Sequence, residues 1–264
     1  MSHVTAPSLR ELKKAGEKIA VLTAYDFPSA QVLDASAIDV ILVGDSLGMV
    51  VMGRENTLGV TMDEMVHHVR MVSRATERAL VVADMPFLSY HVSPEEAVRN
   101  AGRLVGEAGA HAVKLEGPPE IFGDTIRAIL NASIPVMGHL GLTPQSIHAL
   151  GGYKIQGRDE EGRKAILEAA SGLDALGCFA MVLECIPESL ATQITTQVAC
   201  PTIGIGAGSG CDGQVLVMHD ILGWGFTKFT KTFVDVKASM QDAFEQYVGE
   251  VKSGAFPSQE HRFE

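Results

Sequence analysis

Short apolar runs recur along this chain, and the stretches between them carry apolar residues at a helical spacing. The runs are almost continuously apolar, which is typical of parallel strands covered on both faces. They predict eight strands at 19–26, 40–46, 79–86, 111–117, 134–141, 179–187, 201–208 and 214–220. Strands that alternate with helices predict a TIM (β/α)8 barrel. A doubly wound open sheet is the alternative, and the absence of GxGxxG after the first strand argues against it.

Capping signals mark where several of the intervening helices begin. Thr61 with Glu64, and Ser8 with Glu11, have the spacing of a capping box. Helices are predicted at 8–15, 28–35, 62–76, 119–131, 162–176, 188–197 and 236–252, with a further helix that opens at Ser93. The connection 142–162 is long for a compact domain, and such loops are usually functional.

Composition narrows the class of protein and of partner. The 264 residues suit one barrel, so we expect a single domain over 1–264 with a short N-terminal helix, a C-terminal helix and a tail. A net charge of −11 without a basic cluster argues against nucleic acid and anionic membranes as partners. We find no run of membrane-spanning length, no signal peptide and no CxxC spacing among the four cysteines. These features predict a cytoplasmic protein with free thiols.

Four acidic residues near predicted strand ends, where barrels carry their function, are the main candidates: Asp45, Asp84, Glu116 and Glu184. The other polar residues near strand ends are Tyr25, Asp26, Ser46, Lys114, His139, His219 and Asp220. Asp45, Asp84 and Glu116 together predict a hard divalent cation, Mg²⁺ or Mn²⁺, because crowded carboxylates would otherwise repel one another. The structural alternative is a hydrogen-bonded carboxylate cluster at the rim of the barrel.

Lys114 and Glu116 share one face of the fourth strand, and buried charges of this kind need partners. Lys114 has three interpretations: a counter-ion to Glu116, an anchor for a substrate carboxylate, or a Schiff-base nucleophile. The neighbouring acids favour a charged lysine and therefore the first two. His139 is an acid/base group, a hydrogen-bond donor or a structural residue. Glu184, expected away from the other three acids, is either a free base or a salt-bridged residue.

Two further patterns are weak. The glycine-rich run 204–210 invites comparison with a phosphate loop, but it fits neither the Walker A nor the dinucleotide motif, and close packing or a tight turn explains it better. His67 and His68 are adjacent on a predicted helix, so their side chains point in different directions and are not expected to form a metal pair.

A series of longer motifs occurs in order: VGDSLGMVVMG, ADMPF, VKLEG, GHLGLTPQS, GGYKIQG, LEC, IGIGAG and DGQ-LVMHD. Through them, about 19–222 closely resembles the ketopantoate hydroxymethyltransferase family. The resemblance implies a TIM barrel of the phosphoenolpyruvate/pyruvate superfamily and a homodecamer. It also implies hydroxymethyl transfer from 5,10-methylenetetrahydrofolate to 3-methyl-2-oxobutanoate, which gives 2-dehydropantoate for pantothenate synthesis.

The same resemblance implies residue roles. Metal association falls to Asp45, Asp84 and Glu116, substrate binding to Asp45, Ser46, Asp84, Lys114 and His139, and proton acceptance to Glu184. The chain departs from the family pattern at EHRF near its end and at the run Thr227, Lys228 and Phe229, both outside the metal site. Three rival functions stay open: another Mg²⁺-dependent 2-oxo acid lyase or mutase of the same barrel type, a class I aldolase that uses Lys114, and, least favoured, a non-enzymatic assembly protein.

Overall fold

Eight parallel strands close into a barrel in chain order, in a computed structural model that describes residues 3–225 and 227–263. They are β1 Ile19–Thr23, β2 Val40–Val43, β3 Leu80–Asp84, β4 Ala112–Lys114, β5 Val136–Gly141, β6 Ala180–Glu184, β7 Thr202–Ile205 and β8 Gly213–Leu216. The barrel closes where β8 pairs with β1. The predicted TIM barrel is therefore confirmed.

Helices follow most of the strands. They are α1 Ala6–Ala15, α2 Phe27–Ala35, α3 Leu47–Val50, α4 Met62–Ala75, α5 Pro94–Gly102, α6 Pro119–Asn131, α7 Ile147–Leu150, α8 Glu160–Leu176, α9 Glu188–Gln197 and α10 Val236–Ser253. The bounds of α6 and α9 match the prediction. The Thr61 cap of α4 is also confirmed, because the Thr61 and Glu64 side chains each accept a hydrogen bond from the other's backbone N–H.

Apolar side chains fill the barrel from its N-terminal end. One buried cluster joins inward residues of all eight strands to Ala6 and Leu9 of α1, so α1 covers this end of the barrel. Every residue of β2 and β3 is buried, as expected for strands with helices outside and a packed core inside. The buried acidic, lysine and histidine side chains lie at the opposite end, where the strands finish: Asp45, Asp84, Lys114, Glu116 and His139.

The predicted start of the first helix is wrong by one turn. Its N-cap is Thr5, and Ser8 is the third helical residue rather than the cap. Thr5 N donates to Ser8 Oγ at 2.9 Å, and Ser8 N donates to Thr5 Oγ1 at 3.3 Å. The capping box of this helix is therefore formed by Thr5 and Ser8, and not by Ser8 and Glu11 as the sequence pattern predicted.

The eighth strand is shorter than predicted. Its pairing with β1 ends at Leu22 and Leu216, and residues Asp220–Trp224 form a π-helical turn. The apolar residues after Leu216 continued the strand-like pattern, but that pattern reports burial and not backbone pairing. His219 and Asp220 are therefore not strand-end residues of the barrel.

The chain divides into two compact units between Val217 and Met218, and a single domain over 1–264 stays a prediction. The second unit contains the Asp220–Trp224 turn and α10. Within it, α10 exposes a row of apolar side chains: Met240, Phe244, Tyr247, Val248 and Val251. In the described chain, no helix is both long and apolar enough to cross a membrane.

Candidate functional site

Four neighbouring strands deliver five buried ionisable side chains to one place at the C-terminal end of the barrel. They are Asp45, Asp84, Lys114, Glu116 and His139, none more than 4% exposed. Asp84 and Lys114 end β3 and β4 and are paired in register. Because strand ends of a parallel barrel meet at one rim, the chain order of these residues becomes their spatial order.

Lys114 is the cation at the centre of this group. Its Nζ lies 2.8 Å from Asp84 Oδ1 and 3.8 Å from Glu116 Oε1. Burial alone would lower the pKa of Lys114, but the charges of Asp84, Glu116 and Asp45 outweigh it and raise that pKa. The amine is therefore protonated at neutral pH, which favours the counter-ion and carboxylate-anchor interpretations over a Schiff-base nucleophile.

His139 lies between two carboxylates. Its Nδ1 is 3.4 Å from Glu116 Oε1, and its Nε2 is 3.2 Å from Glu184 Oε2. Burial and the charge of Lys114 act against protonation, but Glu116 and Glu184 overcome them and raise the pKa of His139 to about 9. Burial acts to raise the pKa of Glu116, yet His139 and Lys114 lower it overall. His139 thus forms an ion pair on both sides.

Glu184 is the most accessible acid of this group, with 15% of its side chain exposed against 2–5% for its neighbours. It ends β6, where a Cβ on Gly141 of β5 would collide with the Glu184 backbone oxygen. The next residue, Cys185, has a φ of 47°, which residues other than glycine seldom adopt. Backbone strain of this kind concentrates at functional sites.

The pKa values of Asp45 and Asp84 are raised, whereas that of Glu116 is lowered. Burial, followed by the charges of Asp84 and Glu116, raises the pKa of Asp45 well above its usual range. Burial also raises the pKa of Asp84, although Lys114 opposes it. The Asp45 backbone N–H donates to Asp84 Oδ2 at 3.1 Å, which holds the two acids side by side. Two crowded carboxylates with one ammonium leave an excess of negative charge here.

Ser46 follows Asp45 and is partly exposed. Its Oγ lies 2.8 Å from the hydroxyl oxygen of Tyr25, which is buried after β1. Burial raises the pKa of Tyr25, so this hydroxyl stays neutral. A Cβ on Gly44 would lie 2.8 Å from Ser46 Oγ, so glycine leaves room for the serine side chain.

Gln145 and Tyr90 belong to this group and were not predicted from sequence. Gln145 is 5% exposed, its Nε2 donates to Asp45 Oδ2 at 2.9 Å, and its backbone N–H donates to Glu116 Oε2 at 3.0 Å. The Tyr90 hydroxyl donates to Gln145 Oε1 at 2.7 Å. Two sequence signals included Gln145, namely the long connection that follows β5 and the family motif GHLGLTPQS, but neither gave the residue a role.

The donors present suit a hard divalent cation. Within the described residues, no three His, Cys, Asp or Glu side chains are arranged to hold a metal ion. Mg²⁺, however, usually takes one or two carboxylates and completes its shell with water and substrate. Asp45 and Asp84 offer that pair, and a cation would offset the negative charge of neighbouring carboxylates that adds to burial in raising their pKa values. Glu116 stands beside them, engaged by His139 and by Gln145 N.

Other strand-end candidates belong to the second compact unit or have structural roles. Asp26 caps α2 by accepting from Ser29 N at 2.8 Å. His219 and Asp220 belong to the second compact unit. In the run 204–210, a Cβ on Gly208 would collide with the Glu188 side chain, so close packing explains that glycine.

Comparison with known proteins gives a family match over nearly the full length. The family model for ketopantoate hydroxymethyltransferase matches residues 3–259. A 3-methyl-2-oxobutanoate hydroxymethyltransferase from Syntrophomonas wolfei is 55% identical, over 100% of this chain and 96% of that relative. A protein of the same name from Clostridium novyi is 54% identical, over 98% of this chain and 95% of that relative.

Solved structures of lower identity share the fold. A phosphonopyruvate hydrolase in complex with oxalate and Mg²⁺ has a TM-score of 0.64 at 12% identity, covering 98% of this chain and 93% of its own. A 2,3-dimethylmalate lyase, a PEP mutase/isocitrate lyase superfamily member, has a TM-score of 0.62 at 16% identity, covering 98% and 91%. The barrel is therefore of the type found in that superfamily.

Proposed function

The chain belongs to the ketopantoate hydroxymethyltransferase family, and from that premise we propose that it makes 2-dehydropantoate from 3-methyl-2-oxobutanoate and 5,10-methylenetetrahydrofolate. One observation carries the chemistry: the buried group of Asp45, Asp84, Lys114, Glu116 and His139, with the more accessible Glu184 beside it. A 2-oxo acid needs a cation for its oxygens and a base for its C3 proton, and this group offers both. Water supplies the oxygen of the new hydroxyl group in the overall reaction.

Asp45 and Asp84 would hold Mg²⁺, with Glu116 beside them. When bound, the ion supplies a Lewis acid for the negative charge that develops on the oxo acid's oxygens. The protein's part is to hold the two carboxylates together, which the hydrogen bond from Asp45 N to Asp84 Oδ2 does before any ion arrives. Carboxylates arranged in advance need no rearrangement at the moment of reaction.

Lys114 and Ser46 are the groups proposed to bind the oxo acid from the protein side. The substrate is an anion and the chain carries a net charge of −11, so recognition depends on local positive charge. The protonated Lys114 supplies that charge. Ser46 offers a hydroxyl whose direction is set by Tyr25, 2.8 Å away. His139 adds a second buried cation, flanked by Glu116 and Glu184.

Glu184 is proposed to accept the C3 proton. The C3–H bond breaks towards its carboxylate, and the electron pair left on C3 forms a bond to the methylene carbon that the folate delivers. Over the whole reaction both C–N bonds of that carbon break and water supplies its hydroxyl group. The second proton of water and the proton taken from C3 pass to the two folate nitrogens, so tetrahydrofolate leaves. Glu184 is less buried than the other acids and outside the Asp45–Asp84 pair, so its carboxylate can reach a substrate while one of its oxygens, Oε2, stays paired with His139 Nε2. General-base catalysis of this kind contributes about 10²–10⁴-fold.

A second candidate is a Mg²⁺-dependent 2-oxo acid lyase or mutase without a folate requirement. The shared barrel with phosphonopyruvate hydrolase and 2,3-dimethylmalate lyase supports it. The identities of 54–55% over almost the whole chain support the hydroxymethyltransferase more strongly.

Product analysis separates the two candidates. The protein is incubated with 3-methyl-2-oxobutanoate, with and without methylenetetrahydrofolate, and each mixture is repeated with a metal chelator. We expect 2-dehydropantoate only with folate and without chelator. Cleavage or rearrangement of an oxo acid without folate would favour the lyase or mutase, and full turnover in chelator would exclude the metal.

We also propose that the protein forms a homodecamer and is located in the cytoplasm. The family resemblance supports the decamer, and the exposed apolar row on α10 gives this unit a surface suited to association. The free cysteines Cys178, Cys185, Cys200 and Cys211 are compatible with a reducing compartment.

A further inference from the structure

Gln145 lies in the turn that follows β5, with its side chain buried against three different segments. Its Nε2 donates to Asp45 Oδ2 at 2.9 Å and to the Met85 carbonyl oxygen at 3.0 Å. Its Oε1 accepts from the Tyr90 hydroxyl at 2.7 Å, and its backbone N–H donates to Glu116 Oε2 at 3.0 Å. One residue thus bonds carboxylates that belong to the loops after β2 and β4.

These contacts allow one orientation of the amide. Rotating it by 180° would point Oε1 at the Asp45 carboxylate and the Met85 carbonyl, both acceptors, and would turn the NH₂ group towards Tyr90. The Tyr90 hydroxyl accepts from Glu116 N at 3.1 Å and has two acceptors for its own proton, Gln145 Oε1 at 2.7 Å and the Glu116 carbonyl oxygen at 3.1 Å, of which Gln145 Oε1 is the nearer. Tyr90 therefore holds the amide, and the amide holds Asp45.

We propose that Gln145 is the positioning residue that fixes Asp45 and Glu116 relative to each other, with Tyr90 as its brace; the inference rests on the proposed function. The hydrogen bond from the amide to Oδ2 fixes the rotation of the Asp45 carboxylate. The direction in which its other oxygen, Oδ1, points is thereby fixed as well. Partners that orient metal ligands typically change metal affinity or activity by about 10- to 100-fold when removed. Gln145 acts through the two acids and does not itself react.

Two substitutions test this role. Gln145→Met keeps the length of the side chain and removes every hydrogen bond of the amide, whereas Tyr90→Phe removes only the hydroxyl. We expect Gln145→Met to weaken Mg²⁺ binding, titrated calorimetrically without substrate, by about 10- to 100-fold, with a similar fall in kcat/KM for the oxo acid. Tyr90→Phe should give a smaller loss of both, about fivefold.

Thr202→Val is the matched control. Thr202 is fully buried at the start of β7, and its Oγ1 is 2.7 Å from Thr195 Oγ1 and 3.1 Å from Asp212 Oδ2. This substitution also removes a buried hydrogen-bonding group, but at the opposite end of the barrel. It should lower the unfolding temperature and leave Mg²⁺ affinity and kcat/KM unchanged.

Wild-type Mg²⁺ affinity and kcat/KM in a folded Gln145→Met protein would overturn the proposal. Should that variant fail to fold, unchanged values in Tyr90→Phe would overturn it instead. A wild-type protein that binds no Mg²⁺ would contradict the proposed function, and kcat/KM would then decide the role of Gln145. A wild-type protein that makes no 2-dehydropantoate would also contradict the proposed function. In that case the Mg²⁺ affinity of Gln145→Met would decide the role of Gln145.

Discussion

Asp45 and Asp84 stand together although burial and mutual repulsion raise the pKa of Asp45. A pair of this kind costs stability and is retained for what it binds. We expect Asp45→Ala and Asp84→Ala each to weaken Mg²⁺ binding by more than the roughly 10- to 100-fold cost of losing a ligand's hydrogen-bond partner. Calorimetric titration measures this, with the exposed Asp124→Ala as control. Unchanged affinity in both variants would remove the cation from the site.

Glu184 differs from those acids in its accessibility and in its place on the far side of His139. Glu184→Gln keeps the shape of the side chain and removes its basicity. We expect retained binding of Mg²⁺ and oxo acid, with exchange of the C3 proton into deuterated water slowed by about 10²–10⁴-fold. Proton NMR reads this exchange without the folate step. Exchange at the wild-type rate would assign the base to another group.

Among single residues, the sequence predicted the ionisable members of the site and missed two of the neutral ones. Asp45, Lys114 and His139 were found because an ionisable residue at the end of an apolar run is conspicuous. Gln145 and Tyr90 are neutral polar residues in loops, where such residues are common, so their residue types gave no reason to assign them a role, although Gln145 lies in the motif GHLGLTPQS. Their role depends on which loops meet above the barrel, and that is a property of the fold.

At the scale of single elements, the loop after α3 is tied to α4 by an ion pair. Arg54 Nη2 lies 2.5 Å from Glu64 Oε1, and Nη1 donates to Glu64 Oε2 at 3.1 Å. The hydrogen bond from Arg54, set against the opposing effect of burial, lowers the pKa of Glu64 to about 2. Glu64 also completes the capping box of α4 with Thr61. The carboxylate therefore stabilises the folded state while it is ionised.

Glu64→Gln should destabilise the protein by about 1 kcal/mol at pH 7, since the pair is partly exposed. A lowered folded-state pKa gives stability that is present above the unfolded value near 4.5 and is lost as pH falls towards 2. Denaturant unfolding at pH 7 and pH 3 measures the free energy of unfolding of the wild type and of Glu64→Gln. The difference between the two proteins should be smaller at pH 3. The exposed Glu55→Gln is the control, and a difference independent of pH would contradict the ion pair.

The boundaries of helices were predictable where prolines mark their starts. Prolines at 118–119 and at 187 fix the starts of α6 and α9, and those bounds match. The pattern misplaced the start of α1 and extended most strands past their true ends, β8 the furthest. In the first case two hydroxyl residues competed for the cap, and in β8 apolar residues continued past the last paired residue, Leu216.

For the whole molecule, we expect a decamer. Light scattering at micromolar concentration should give a mass ten times the 28.1 kDa of one chain. The exposed apolar side chains of α10 include Phe244, which is 61% exposed, and Tyr247, which is 58% exposed. Phe244→Asp should therefore lower the mass while Gln246→Asp on the same helix should not. A monomer mass for the wild-type chain would refute the expectation.

The closure of β8 onto β1 has a consequence for how copies of the chain can meet. Each strand of the barrel has a hydrogen-bonded neighbour on both sides, so the described sheet has no open edge. Proteins with open edges are vulnerable to strand-by-strand templating, the route to domain swapping and amyloid. The described strands of a folded copy offer no such template. Orderly assembly must use side chains on helices and loops, and fibril growth would first require the ring of strands to break.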